Sequence, residues 1–183
     1  MWWGLTLALL AVVAGAALWN NLLHDGGAYL LRGAGPYTAT ELNAQSFTMA
    51  PELLDGVYRA FSATSEDAIY DALAEVAAGG ALSALYLERR GAMAENGLDQ
   101  ATQQIHSMEI LQLLPRRDGS TLLWDTKWRV VGTVGDATHI HARGNTYSAN
   151  LTIQPSNGHW KVTGFVLKDV DRSDAGTIVA APQ

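Results

Sequence analysis

Apolar residues follow three unlike patterns along the chain. From Trp2 to Leu23 they run as WWGLTLALLAVVAGAALWNNLL, with no ionisable side chain. From Pro51 to Glu95 they recur at helical spacing, and beyond Asp99 they alternate with polar residues. A period near 3.6 makes one face of a helix apolar, whereas a period of 2 does the same for a strand.

In the helical stretch, Leu53, Val57, Ala60 and Phe61 share a face behind Pro51 and Glu52, a pair suited to a first helical turn. A second helix is capped by Thr64 or Ser65, carries Glu66 and Asp67 at its positive end, and repeats Ile69, Leu73 and Val76 up to Gly79–Gly80. A third spans Ala81 to Glu95 through Leu82, Leu85, Tyr86 and Met93, and ends at Asn96–Gly97. The acids of all three lie at caps or on solvated faces.

The alternating half predicts strands over His106–Pro115, Thr121–Val134, Thr138–Gln154 and His159–Val170, joined at Arg116–Gly119, Gly135–Asp136 and Pro155–Gly158. Leu122, Trp124, Thr126, Trp128, Val130 and Val134 share one face of the second strand, opposite Asp125, Lys127 and Arg129. One packed and one wet face follow. Tyr147, Ala149, Leu151 and Ile153 line up on the third strand, and Trp160, Val162 and Val166 on the fourth. Gly132 and Gly144 suit bulges in a curled sheet. The predicted fold class is α+β: a single N-terminal transmembrane helix, then three helices packed on a curved four-stranded antiparallel sheet.

The N-terminal run is long enough for that role, since roughly 20 apolar residues cross a ~30 Å hydrocarbon core. Trp2 and Trp3 at one end and Trp19 at the other stand about 24 Å apart on a helix, as interfacial anchors do. The competing reading is a cleaved signal peptide with Ala14, Gly15 and Ala16 at its end; no Lys or Arg precedes the run to support it. The expected organisation is a membrane helix over 1–24, a Gly- and Ala-rich tether over 25–50, the α+β domain over 51–172, and a C-terminal arm over 173–183. A signal-anchor arrangement places the domain on the periplasmic side of the inner membrane.

Composition narrows the function. The chain has 183 residues, 48% of them apolar, which excludes disorder as the dominant state. A net charge of −6, from 18 acids and 12 bases, argues against nucleic acid, whose phosphates need a basic face. That charge lies almost wholly outside the apolar run, so electrostatic attachment to anionic lipid is not expected either. With no cysteine, disulfides, thiol nucleophiles and Cys-ligated metals are excluded. There is no G-x-G-x-x-G, P-loop, G-x-S-x-G or H-E-x-x-H motif, so no cofactor and no catalytic residue are assigned.

One constellation remains. His139-x-His141, followed by Arg143, places two imidazoles on alternate positions of one strand, which could supply half of a metal site or a general acid and base. A metal needs further ligands, and His106, His159 and Asp125 stand at no diagnostic spacing, so none is expected. His139, His141, Tyr147 and Asp125 are instead the candidate lining of a pocket, set against a wet strand end as the plainer reading. Trp124, Trp128 and Trp160 read as core rather than as a ligand platform.

The element order, closing on Gly158–His159–Trp160–Lys161, resembles the nuclear-transport-factor-2-like superfamily of cone-shaped α+β domains, and its membrane-tethered branch of type IV secretion inner-membrane subunits. The segments Tyr58–Arg59–Ala60–Phe61, Glu66–Asp67–Ala68–Ile69–Tyr70–Asp71–Ala72–Leu73–Ala74, Leu85–Tyr86–Leu87 and His139-x-His141-x-Arg143-x-Asn145-x-Tyr147 are similar to those of a group of bacterial membrane-associated proteins. In that group a Trp–Gly pair precedes the second histidine, where this chain has Ala137–Thr138–His139. The resemblance implies a non-catalytic accessory subunit of a membrane-protein complex, partnered by other subunits and by the bilayer through residues 2–23. The alternative is a membrane-anchored small-molecule-binding or enzymatic domain that uses the cone interior.

Overall fold

The computed structural model describes residues 26–63, 65–96, 102–135 and 140–179. Within them the order is β1 (Tyr29–Leu31), β2 (Gly35–Tyr37), α1 (Ala39–Ala44), α2 (Ser46–Phe61), α3 (Glu66–Val76), α4 (Gly79–Asn96), β3 (Thr102–Asp118), β4 (Thr121–Gly135), β5 (Ile140–Ser156) and β6 (His159–Val179). The strands form one sheet in the order β2-β1-β6-β5-β4-β3.

This corrects the expected fold class. The sheet has six strands rather than four and is mixed rather than antiparallel, because β1 lies parallel to β6 through Leu30 and His159. Four helices are described rather than three. The run 2–23, with Trp2, Trp3 and Trp19, lies outside the described residues; among those described, no helix is long and apolar enough to cross a membrane.

Residues 29–50, expected as a tether, carry β1, β2, α1 and the start of α2. Three-residue strands are too short to show a period; β1 and β2 pair with each other, and β1 also pairs with β6, far along the chain. Tertiary contacts hold them: Trp160 Nε1 donates to the Tyr37 carbonyl at 2.8 Å, and the Tyr29 ring meets Trp160 edge-on at 5.6 Å. α1 opens with a capping box in which Thr38 Oγ1 accepts from Glu41 N and Glu41 Oε2 accepts from Thr38 N. Pro51 lies inside α2 rather than at its start. Its ring leaves the Phe47 carbonyl without an amide partner, and Phe47 is exposed, so water can take that place.

Ser65 caps α3 by accepting from Ala68 N, as its spacing predicts. At the other end Lys161 Nζ donates to the Ala74 carbonyl at 2.6 Å and Ala78 N donates to the Val162 carbonyl at 2.9 Å, tying α3 to β6.

The strands outrun their predicted ends. β3 continues through Pro115, which pairs with Trp124, to Asp118; a strand at the sheet edge tolerates the missing amide. β6 continues from the predicted arm to Val179. The β5–β6 hairpin turns on Asn157 and Gly158, both at positive φ, as a tight two-residue turn requires.

Extra residues then decide which side chains face the helices. β6 has 21 residues against 17 in β5, with register shifts at four places. Thr163 is extra between the pairs Ile153–Val162 and Thr152–Gly164, and Lys168 between Ala149–Leu167 and Ser148–Asp169. The inward set on β6 is therefore Trp160, Val162, Phe165, Leu167 and Val170. Val166, expected beside Trp160 and Val162, is 61% exposed. On β3, His106 is extra opposite Gly132 and Val131, and there a Cβ on Gly132 would stand 2.5 Å from the Gln104 carbonyl oxygen.

Two substitutions test this packing in opposite directions. Gly132→Ala must push two strand backbones apart and is expected to lose about 1–3 kcal/mol in chemical denaturation. Thr126→Val keeps the shape of a buried side chain whose Oγ1 has no partner among the described residues, and is expected to gain up to ~1 kcal/mol in the same measurement.

Candidate functional site

The concave face of β4, β5 and β6 does not close completely on α2 and α4. It leaves a cavity of about 130 Å³ lined mainly by apolar side chains, among them Leu54, Phe61, Leu85, Leu151 and Phe165. Trp128, Tyr147 and Tyr58 form its polar corner. Glu88, Arg89 and Arg172 stand at the rim, Glu88 and Arg172 exposed and Arg89 partly buried. Burial holds the Arg89 guanidinium below its ordinary pKa.

Each aromatic group is placed by the local alternation. Trp128 is an inward position of β4, paired with Tyr147 of β5 across the ladder. The two rings stack with centroids 5.4 Å apart and planes 18° apart. Tyr58 projects from α2, where Phe61 meets it edge-on at 5.9 Å. Trp128 Nε1 donates to Tyr58 Oη at 3.0 Å, a buried bond that joins helix to sheet. Asn145 Nδ2 donates to Tyr147 Oη at 3.1 Å. Burial, the neighbouring Tyr147 hydroxyl second, pushes the Tyr58 phenol far above its ordinary pKa of 10.0, against the lowering effect of the Trp128 bond.

Of the pocket residues expected from the sequence, Tyr147 lines the cavity. Asp125 lies between the inward positions Trp124 and Thr126, so it faces the opposite side of the sheet. There its Oδ1 is 2.8 Å from Lys168 Nζ. His139 lies outside the described residues, and His141 is placed by its backbone, which pairs with Val134 and Ile178. His106 and His159 lie toward opposite ends of the sheet: His106 Nε2 meets Thr133 Oγ1 at 3.0 Å, and His159 Nδ1 meets the Asn157 carbonyl at 3.0 Å. Among the described residues no three His, Asp or Glu side chains are grouped to hold a metal ion.

Sequence reasoning took Phe61 and Leu85 as ordinary apolar face positions of amphipathic helices and gave Tyr58 no place on a helix face. Tyr58 carried a signal, since a phenol inside an apolar face needs a buried partner. Trp124 and Trp160, with Trp128, are core, as expected.

Fold and site together define an α+β domain whose curled sheet holds an aromatic-lined cavity under its helices. No family model matches the chain, and no curated protein matches it. Among solved structures the chain is similar to the intermembrane-space region of chloroplast protein ARC6, at 18% identity and a TM-score of 0.47, over 66% of this chain and 95% of that one.

The buried Trp128–Tyr58 bond has a measurable pH signature. Tyr58→Phe leaves an indole N–H buried without an acceptor and is expected to cost about 1–3 kcal/mol near neutral pH. The native phenol stays protonated in the folded chain and ionises near its ordinary pKa of 10.0 in the unfolded one, so its contribution is complete below pH 10 and is lost as pH rises above it. Denaturation curves of the two proteins are therefore expected to converge above pH 10.

Proposed function

We propose that the protein is a non-catalytic accessory subunit of a bacterial membrane-protein complex, attached to the bilayer through the apolar run 2–23, with its α+β domain on the periplasmic side. The observation that carries this reading is the outer edge of β3. Among the described residues β3 is a terminal strand of the sheet, and the backbone groups along the side of its 17 residues away from β4 have no strand partner. Leu111, extra between Ile110 and Gln112, and Leu114, which faces away from the helices opposite Asp125, are 45% and 55% exposed. Arg116 follows them, also exposed.

An edge of this kind fits an extended segment of a neighbouring subunit. Main-chain pairing would supply the affinity, two apolar side chains would cover Leu111 and Leu114, and an acidic residue would face Arg116. The resemblance to the tethered branch of the nuclear-transport-factor-2-like superfamily supports the same reading, because its members serve as periplasmic parts of larger inner-membrane assemblies.

The test places a photo-crosslinking residue at Leu111 or Leu114 in the full-length protein in its native membrane, with exposed Tyr70 on α3 as the control position. One defined membrane-subunit adduct is expected from both β3 positions and none from the control. Leu114→Lys is expected to reduce the adduct formed at Leu111 by an order of magnitude while leaving the melting temperature unchanged. A full-length protein that is monomeric in mild detergent, with no β3 adduct and no co-purifying subunit, would overturn the proposal.

A further inference from the structure

We infer that the cavity beneath α2 and α4 is a binding site for a small neutral molecule, with the bulk of one six-membered ring, that carries a carbonyl or comparable hydrogen-bond acceptor. The site shares no residue with the β3 edge, so it stands or falls independently of the accessory role.

Size sets the first limit. An apolar cavity of roughly 150 Å³ takes up a benzene molecule, and the present one offers about 130 Å³. Its walls resist closing over that space. Trp128 and Tyr147 are stacked on each other, Tyr58 and Phe61 are locked edge to face, and rigid rings cannot collapse as a chain of methylenes can.

The hydroxyl of Tyr58 sets the second limit. Its oxygen accepts the Trp128 indole proton, which leaves its own O–H as a donor. Among the described residues that donor meets no acceptor, although the side chain is buried and lines the cavity. A buried donor without an acceptor is costly, and an oxygen on a ligand seated against the aromatic wall would remove that cost.

Charge sets the third. The rim presents one carboxylate, Glu88, and two guanidinium groups, Arg89 and Arg172, while the interior is apolar. Burial there already suppresses the phenolate of Tyr58, and it would disfavour a ligand anion in the same corner for the same reason. A neutral carbonyl, whose oxygen accepts without carrying charge, meets both conditions.

Acetophenone and toluene separate these requirements, since both carry a single six-membered ring and only the first has an acceptor. With full-length protein carrying ¹³C-labelled tyrosine, acetophenone is expected to shift the Tyr58 and Tyr147 ring resonances and to leave exposed Tyr70 unchanged. Toluene is expected to produce the same pattern with ~10-fold weaker affinity, the worth of one buried hydrogen bond. Tyr58→Phe is expected to equalise the two affinities, a ratio that does not depend on the overall stability of the variant. Val170→Trp, which fills the cavity from the partly exposed strand β6, is expected to abolish both. Unchanged Tyr58 and Tyr147 resonances at millimolar acetophenone would overturn the inference. So would an acetophenone preference that survives Tyr58→Phe, or binding that survives Val170→Trp.

Discussion

A residue inserted at Thr163 turns β6 over by one position, so that each side chain beyond it changes face until Lys168 turns the strand back. Phe165 and Leu167 enter the cone because of the first insertion, and Val170 does so because of the second. Without them Val166 would point inward and the two larger apolar residues would meet water. The same insertions lengthen β6 relative to β5, and a longer strand beside a shorter one must bend. The curl of the sheet and the lining of its hollow thus have one cause. Gly132 plays the corresponding part at the other side, where the β3 insertion at His106 brings the Gln104 carbonyl too close for any side chain.

Within the hollow, packing and polarity pull in different directions. Large rings fill space in big units, and a curved sheet facing two helices leaves a remainder that no ring completes. The remainder lies where the chain also buries two polar tips, the Trp128 N–H and the Tyr58 O–H. These satisfy each other with one bond, which uses the indole donor and leaves the phenol donor over. Cavity and spare donor arise from the same corner of the core, which gives that corner chemical character although its residues are ordinary core types.

The sequence disclosed much of this architecture and less of the site. Alternation over Leu122, Trp124, Thr126, Trp128 and Val130 named the buried face of β4, and the register with β5 stayed regular enough for Ala149, Leu151 and Ile153 to follow. The cap at Ser65 and the turn at Asn157–Gly158 were legible because they are local, settled by side chains within a few residues of the backbone they serve. Thr38 and Glu41 bore an equally local signature, yet the helix they open is six residues long and shows little more than one turn of periodicity. Tyr147 shares its predicted face with Ala149, Leu151 and Ile153 and lines the cavity, whereas alternation puts Asp125 on the face opposite Trp124 and Trp128.

What the sequence determined by itself was the period of the longer segments, from α2 to β6, with their local caps and turns, and therefore which of those are helices and which are strands. These depend on neighbours within one or two turns of chain. The tertiary structure alone decided the parallel docking of β1 on β6, the faces of β6 beyond Thr163, and the meeting of Tyr58 with Trp128 across 70 positions of sequence. An inserted residue leaves no mark in composition and only a brief slip in period, and a pair so far apart has no spacing to read. The cavity depends on both, so it became visible only when the strands were laid side by side.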